Sequence, residues 1–436
     1  MDLVSLGYCL VALMLFMAFY GMPIAYAMCA VASIGLCITL GPVNAATQTM
    51  FVAWEQASNF SLMSIPLFIF MGTIAFHCGI VTDIFDAIRK WIGFLPGGLA
   101  ASGVLAATAF GAVTGSTAAA TATMATTVIP ELERSGYNQT FAAGTMAAAG
   151  GFAAIIPPSV FLIVFAVLAD QSIGELFIAV IGPGVLTSTL FVLYCIIAST
   201  IFPRLGPKQP PATWKERIQV LPAALPVLIL FMIVIGSIFA GFATPTESAA
   251  LGCVGVLIIS ACMRRMTKEN ILNAFREGAK MSAAIFLLFI GGWLMARLLV
   301  TTGTTKHMVN MFIGMEMSYN QLILILFILY LILGCLLESI SILILMVPFV
   351  VPITLQYGMD TIWFGVFVTM MMVMAGISPP VGLNIFIVRS ICPHISIFSI
   401  YKGAFPYLVI MCVSVLAMCM WPDLALFLVK QMFSTY

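Results

Sequence analysis

The sequence predicts an all-α polytopic membrane protein made of two inverted repeats, each with five membrane crossings and one re-entrant helical hairpin. Three observations predict it. Of 436 residues, 62% are hydrophobic and only 8% are charged, a balance foreign to soluble domains. Landmarks recur at one spacing: Pro23 and Pro245 lie 222 residues apart, Gly79 and Gly303 224, Ser116 and Ser339 223, Pro157 and Pro379 222. Finally, one orientation of the spans gathers the basic residues on one side of the membrane.

The elements follow from the apolar runs. Spans are expected at about 4–20, 23–40 and 61–79, a polar-tipped segment at about 97–130, a long broken span at about 138–169 and a span at about 176–201. The second half gives about 219–240, 246–263 and 282–300, a tipped segment at about 321–356, a broken span at about 361–389 and a last span at about 404–429. Residues 1–202 and 219–436 are the two repeats, and 203–218 is a basic, proline-rich cytoplasmic linker, RLGPKQPPATWKER at its centre. Segment 41–60, with Trp54 and Glu55, is read as an outer interfacial stretch. Segment 80–96 carries Asp83, Asp86, Arg89, Lys90 and Trp91 and is read as an amphipathic surface helix.

Each tipped segment is too long for one comfortable crossing at about 1.5 Å per residue, and each has small or polar residues at its centre. A re-entrant hairpin fits both facts. Each half then crosses five times, an odd number, so the second half must be inverted. With the linker inside, Arg89, Lys90, Arg134, Arg204, Lys208, Lys215, Arg217, Arg264, Arg265, Lys268, Arg276, Lys280, Arg389 and Lys402 are cytoplasmic, 14 of 17 basic residues. Lys306 and Lys430 fall outside, Arg297 lies near the outer end of a span, and both termini fall outside.

Composition also excludes functions. A net charge of +1 argues against nucleic-acid binding. His77, His307 and His394 are far apart, and the eleven cysteines form no CxxC, so neither a transition-metal site nor a disulfide framework is expected. No HExxH, Ser/His/Asp arrangement or pair of acids at catalytic spacing supports an enzyme. The first apolar run lacks a basic leader and an AxA-like site and reads as a span.

An internal repeat of this length in a membrane protein points to a secondary transporter, with its sites at interrupted helices. Such breaks free carbonyls at one half-helix end and N–H groups at the next, and they are tolerated at membrane depth only where they line a cavity or are buried in protein. The carbonyls suit a hard cation and the N–H groups a carboxylate. In the first half Gly115, Ser116 and Thr117 pair with Pro157, Pro158 and Ser159. In the second, Glu338, Ser339 and Ser341 pair with Ser378, Pro379, Gly382 and Asn384. Two pseudo-equivalent cation sites follow. With so few intramembrane acids, Na⁺ held by neutral oxygens is favoured over a proton relay.

Several residues keep two readings. Thr121 and Thr123 contact substrate or bond to their own backbone. Ser159 and Asn384 face the ion or the substrate. Glu338 is functional by default at this depth, or caps its hairpin. Glu247 caps a helix or contacts another. Arg297 binds an anionic substrate or snorkels to the outer surface.

GSTAAATATM, IIPPSVFLIVFA, FATPTESAALG and GISPPVGLNIFIV, in this order, resemble the large membrane subunit of tripartite ATP-independent periplasmic (TRAP) transporters. More distantly the chain resembles the divalent-anion/sodium symporters of the ion transporter superfamily. The resemblance implies a multi-pass protein of the bacterial inner membrane with periplasmic termini. It implies sodium-coupled import of a carboxylated organic acid, of the sialic acid or C4-dicarboxylate class, by an elevator motion, with about two sodium ions and no organic cofactor. The implied partners are a small four-helix membrane subunit and a periplasmic substrate-binding protein. The sodium positions carried over are the hairpin tips and the PPS and SPPVGLN breaks. Where relatives have a shorter polar signature in the second tip, this chain reads LESIS. A stand-alone symporter of the same fold is the alternative.

Overall fold

A computed structural model describes residues 2–335 and 337–433. Leu336, within the second expected hairpin, and the two chain ends lie outside the described residues. Among the described residues the chain is helical, with no strand. The first half runs α1 Leu3–Phe19, α2 Ile24–Leu40, α3 Pro42–Ala57, α4 Ser64–His77, α5 Ile80–Ile92, α6 Gly98–Thr114 and α7 Thr117–Arg134. It continues with α8 Gln139–Ala149, α9 Phe152–Ile155, α10 Val160–Ala169, α11 Ile173–Ala179 and α12 Ile181–Ile201. A short helix, α13 Trp214–Gln219, precedes α14 Leu221–Phe239, α15 Pro245–Cys262, α16 Lys268–Thr301, α17 Thr304–Gly314, α18 Tyr319–Gly334 and α19 Ser339–Gln356. The chain closes with α20 Thr361–Ala375, α21 Leu383–Ile391, α22 Ile397–Met420 and α23 Asp423–Phe433.

Local chemistry sets these boundaries. Thr213–Glu216, Thr244–Glu247 and Ser318–Gln321 form reciprocal capping boxes that start α13, α15 and α18. Glu247 is therefore a cap, with its carboxylate 2.8 Å from both the Thr244 N–H and hydroxyl. Among the described residues six helical stretches are long and apolar enough to cross a membrane, or up to eight if each of two bent pairs is one span. The bent pairs are α3 with α4, at 57°, and α8–α9 with α10, at 42°. Other apolar helices, α1, α2, α6, α18 and α20, have 15–17 residues.

Three elements differ from the boundaries read in the sequence. The span expected at 282–300 is the end of α16, which has 34 residues. Its first turns carry Lys268, Glu269, Arg276, Glu277 and Lys280; these favour helix as well as the apolar residues do, so the helix extends beyond its hydrophobic part. The run expected at 404–429 is broken after Met420, where Pro422 has no N–H to continue α22. Segment 41–60 is mostly helix α3, with Val43, Met50, Phe51 and Trp54 exposed.

Both tipped segments double back. The Leu99 N–H donates to the Tyr137 hydroxyl at 3.2 Å, so the start of α6 lies beside the residue just past α7. The linker is tied to the same end: Gly97 N–H bonds to Gly206 O at 3.0 Å and Asn138 N–H to Leu205 O at 3.1 Å. Past α19, the Tyr357 hydroxyl donates to Phe312 O of α17, the helix that precedes α18, at 3.0 Å.

Charges cluster at the first hairpin's base. Arg265 holds Asp83 of α5 with two hydrogen bonds, at 2.6 and 3.1 Å. Arg89 meets Glu131 of α7 at 2.7 Å, and Lys90 meets Glu216 at 3.4 Å. Elsewhere packing relies on small residues: Gly144 of α8 and Gly403 of α22 place their backbones in direct contact, where a Cβ would have no room.

Candidate functional site

The first break begins where α8 ends. Gly150 and Gly151 lead into the single turn α9, and Ile156 is extended at φ −92°, ψ 124°. Pro157–Pro158 is a cis peptide, and Ser159 caps α10 by accepting from the Leu162 N–H at 3.5 Å. Two consecutive prolines supply no N–H, so the helix cannot continue through them. Among the described residues the carbonyls of Ile156, Pro157 and Pro158 accept no hydrogen bond. Pro157, Pro158 and Ser159 are buried.

The first hairpin's tip is laid against this break. Gly115 turns the chain at φ 59°, a conformation glycine adopts without steric cost. Ser116 then caps α7, accepting from the Ala119 N–H at 3.4 Å. A Cβ on Gly115 would stand 2.8 Å from Pro158 O. One turn earlier, a Cβ on Gly111 would stand 2.7 Å from the Ala153 Cα. The tip and break residues named from the sequence, Gly115, Ser116, Pro157 and Ser159, are thus together, with Thr117 half-buried beside them. The starts of α7 and α10 bring free N–H groups to the place where α6 and α9 end in carbonyls.

Thr121 and Thr123 separate here. Thr123 donates to Ala119 O at 2.8 Å, an internal helix bond. Thr121 is fully buried against Gly150, and its hydroxyl has no partner among the described residues.

The second break has the same plan with different partners. Ser378 donates to Met374 O at 2.7 Å, Pro379–Pro380 is a cis peptide, and Gly382 at φ 50° opens α21. The buried Asn384 uses its N–H on Gly376 O at 3.0 Å and its side-chain amide on Ala147 O of α8 at 3.2 Å. That second bond ties the two breaks together, and a Cβ on Gly151 would meet Val373 Cγ1 of α20 at 2.5 Å.

At the second tip, Glu338 caps α19, its carboxylate accepting from Ser341 N–H at 3.2 Å and Ser341 Oγ at 3.1 Å. Ser339 donates to Met372 O at 3.2 Å. The Cys335 thiol donates to Pro379 O at 2.8 Å, and Gly334 packs directly on Ala375. Tyr401 of α22 donates to Pro380 O at 2.6 Å and Val381 O at 2.9 Å. Pro379, Pro380 and Val381 are exposed. Arg297 lies elsewhere, exposed on α16, and its Nε donates to Gln48 of α3 at 3.1 Å. Tyr401, Cys335 and the α8 carbonyl of Ala147 were not singled out from the sequence; each acts through a contact made only by folding.

This geometry can be set beside known proteins. Residues 10–424 match the family model described as tripartite ATP-independent periplasmic transporter, DctM component. The chain belongs to this family. It is 28% identical to the C4-dicarboxylate TRAP transporter large permease protein DctM of Pseudomonas aeruginosa, over 86% of this chain and 87% of that one. Similar identity, 28%, relates it to the sialic acid TRAP transporter large permease protein SiaM of Vibrio cholerae, over 96% and 97%. The 2,3-diketo-L-gulonate TRAP transporter large permease protein YiaN of Escherichia coli is 29% identical, over 94% and 96%. In fold, this TRAP large permease is similar to MtrF of Neisseria gonorrhoeae, with a TM-score of 0.64, 11% identity and coverage of 97% and 95%. It is also similar to the YdaH transporter of Alcanivorax borkumensis, at 0.61, 12%, 87% and 89%.

Proposed function

We propose that this TRAP large permease imports a carboxylated organic acid coupled to Na⁺, with the first break and first hairpin tip as the main cation position. The observation that carries the reading is the set of three carbonyls at the break, from Ile156, Pro157 and Pro158, without donors among the described residues and beside Gly115 and the capping hydroxyls of Ser116 and Ser159. A carbonyl at membrane depth costs several kcal/mol when unsatisfied, and a cation is the partner this cluster suits. The second break is its pseudo-equivalent, with Glu338, Ser339, Ser341, Ser378, Pro379, Gly382 and Asn384 at the matching segments. The Thr121 hydroxyl, which has no partner among the described residues, is with the α7 and α10 N-termini the proposed carboxylate contact.

Support for the carboxylated substrate comes from relatives named for C4-dicarboxylates, sialic acid and 2,3-diketo-L-gulonate, all of them acids. Support for a repeat comes from one matched contact, glycine on alanine at Gly111–Ala153 and at Gly334–Ala375, each just before a hairpin tip and a proline break. In the elevator we propose, both hairpin–break units, joined by Asn384 to Ala147, move as one body. The helices around α2, α4, α15 and α16 stay in the membrane as the scaffold. A periplasmic binding protein delivers substrate, and a small four-helix subunit completes the inner-membrane complex.

The test is uptake of candidate acids into proteoliposomes holding the chain, its small subunit and the binding protein, with and without a Na⁺ gradient. Saturable uptake that needs all three proteins and the gradient is expected. Na⁺-driven uptake by the chain alone would establish a stand-alone symporter instead. Unsaturable flux indifferent to Na⁺ would overturn both.

A further inference from the structure

We infer that Tyr401 is a positioning residue whose hydroxyl closes the second break in place of an ion, so that the second break takes up a cation only when Tyr401 withdraws. This rests on the proposed reading of the breaks as cation positions. A carbonyl freed by a proline bend binds a donor, water or a cation, and going without one is costly only where it is buried, as at Pro157 and Pro158 but not at the exposed Pro379 and Pro380. At a spacing of 222, Ile156, Pro157 and Pro158 correspond to Ser378, Pro379 and Pro380. The first three carbonyls have no donor among the described residues. In the second set, Pro379 O is taken by the Cys335 thiol and Pro380 O by the Tyr401 hydroxyl.

The Tyr401 contact has a particular shape. One hydroxyl proton is shared between Pro380 O and Val381 O, at 2.6 and 2.9 Å from the phenol oxygen. Two carbonyl oxygens therefore converge on one point from within three residues of chain, which is how a backbone turn addresses a small cation. Tyr401 comes from α22, outside both the hairpin and the broken helix. The phenol is half-buried and held by these two bonds, so it can leave without unfolding either element. The ordinary apolar-face reading of a tyrosine near a helix start does not account for a hydroxyl spent on two prolyl-turn carbonyls.

The test uses the full chain with its small-subunit partner in lipid nanodiscs. Its melting temperature is followed against Na⁺ concentration, with choline holding ionic strength constant. Tyr401→Phe keeps the ring and removes only the donor. The expected variant is less stable than wild type in choline and recovers in Na⁺. Its slope of melting temperature against log Na⁺ should be about twice that of wild type, because a second ion becomes linked to folding. Cys335→Ala frees Pro379 O in the same way and is expected to steepen the slope as well. It is the readout if Tyr401→Phe does not fold.

A Tyr401→Phe slope equal to that of wild type, or equal losses in choline and Na⁺, would overturn the inference. Wild type with no Na⁺ slope beside a steep Tyr401→Phe would leave this inference standing and remove the first break as a cation site. The two failures are therefore distinct.

Discussion

Pro157–Pro158 and Pro379–Pro380 bend their helices with the same residues, next to hairpin tips of the same design, yet their surroundings differ. At the first bend Pro157 and Pro158 are buried, and among the described residues the carbonyls of Ile156, Pro157 and Pro158 meet no donor. The second is exposed, and two of its three matching carbonyls are held by Cys335 and Tyr401. The serine also moves. Ser159 follows the first proline pair and caps α10, whereas Ser378 precedes the second pair and donates back into α20. On the proposed reading the same proline bend serves two chemistries, the first with carbonyls that meet no donor among the described residues and the second with carbonyls held by its own side chains.

The largest effect is expected where the first tip meets its break. Gly115→Ala places a Cβ 2.8 Å from Pro158 O in a residue at φ 59°. The left-handed strain costs about 1–2 kcal/mol, and the overpacking adds about 1–3 kcal/mol. Na⁺-driven uptake should be lost and the melting temperature should fall. Wild-type uptake in this variant would break the pairing of tip and break.

Next comes an exchange of the differing serine. Ser159→Val gives the first break the residue that Val381 supplies to the second. Removing a buried cap costs about 1–2 kcal/mol. A weakened Na⁺ dependence of uptake is expected as well. The reciprocal Val381→Ser, at an exposed position, should leave both stability and Na⁺ activation near wild type. Equal losses in the two variants would mean the breaks are not functionally divided.

Asn384→Ala tests the joint between the copies. It removes the bond to Ala147 O at 3.2 Å, and leaving that buried carbonyl unpaired costs about 1–3 kcal/mol. Uptake should slow and Na⁺ dependence weaken, measured as a rise in the half-saturating Na⁺ concentration. An unchanged Na⁺ titration would show that the two breaks act independently.

Much of the plan was legible before folding because its signals are local. Paired prolines stop helices wherever they occur, and Thr-x-x-Glu at Thr244 and Glu247 and Ser-x-x-Gln at Ser318 and Gln321 announce helix starts. Tip and break could be paired because both recur at one spacing. What could not be read was which carbonyl finds which donor. Tyr401 reaches Pro380 only because α22 packs beside the break, and nothing in IFSIYKGAF distinguishes that hydroxyl from any other. Boundaries failed for the same reason. The charged start of α16 looks like a loop to a hydropathy reading, and the apolar residues after Pro422 hide the end of α22.

Glu338 sharpens the comparison at its finest grain. It lies 223 residues after Gly115, so the tip that is glycine in one copy is a carboxylate in the other. The backbone explains the exchange. Gly115 is left-handed and leaves the cap to Ser116, whereas Glu338 is extended at φ −72°, ψ 144° and is itself the cap. The cap has moved back by one residue, and the carboxylate does for α19 what the Ser116 hydroxyl does for α7. An amide oxygen can still accept the Ser341 N–H and hydroxyl, so Glu338→Gln should cost about 0.5 kcal/mol, chiefly the lost charge at a helix N-terminus. Uptake at saturating Na⁺ should be close to wild type. If Na⁺ activation instead disappeared with stability intact, the charge itself would be an ion ligand, and the second copy would hold its cation at the tip and not at the break.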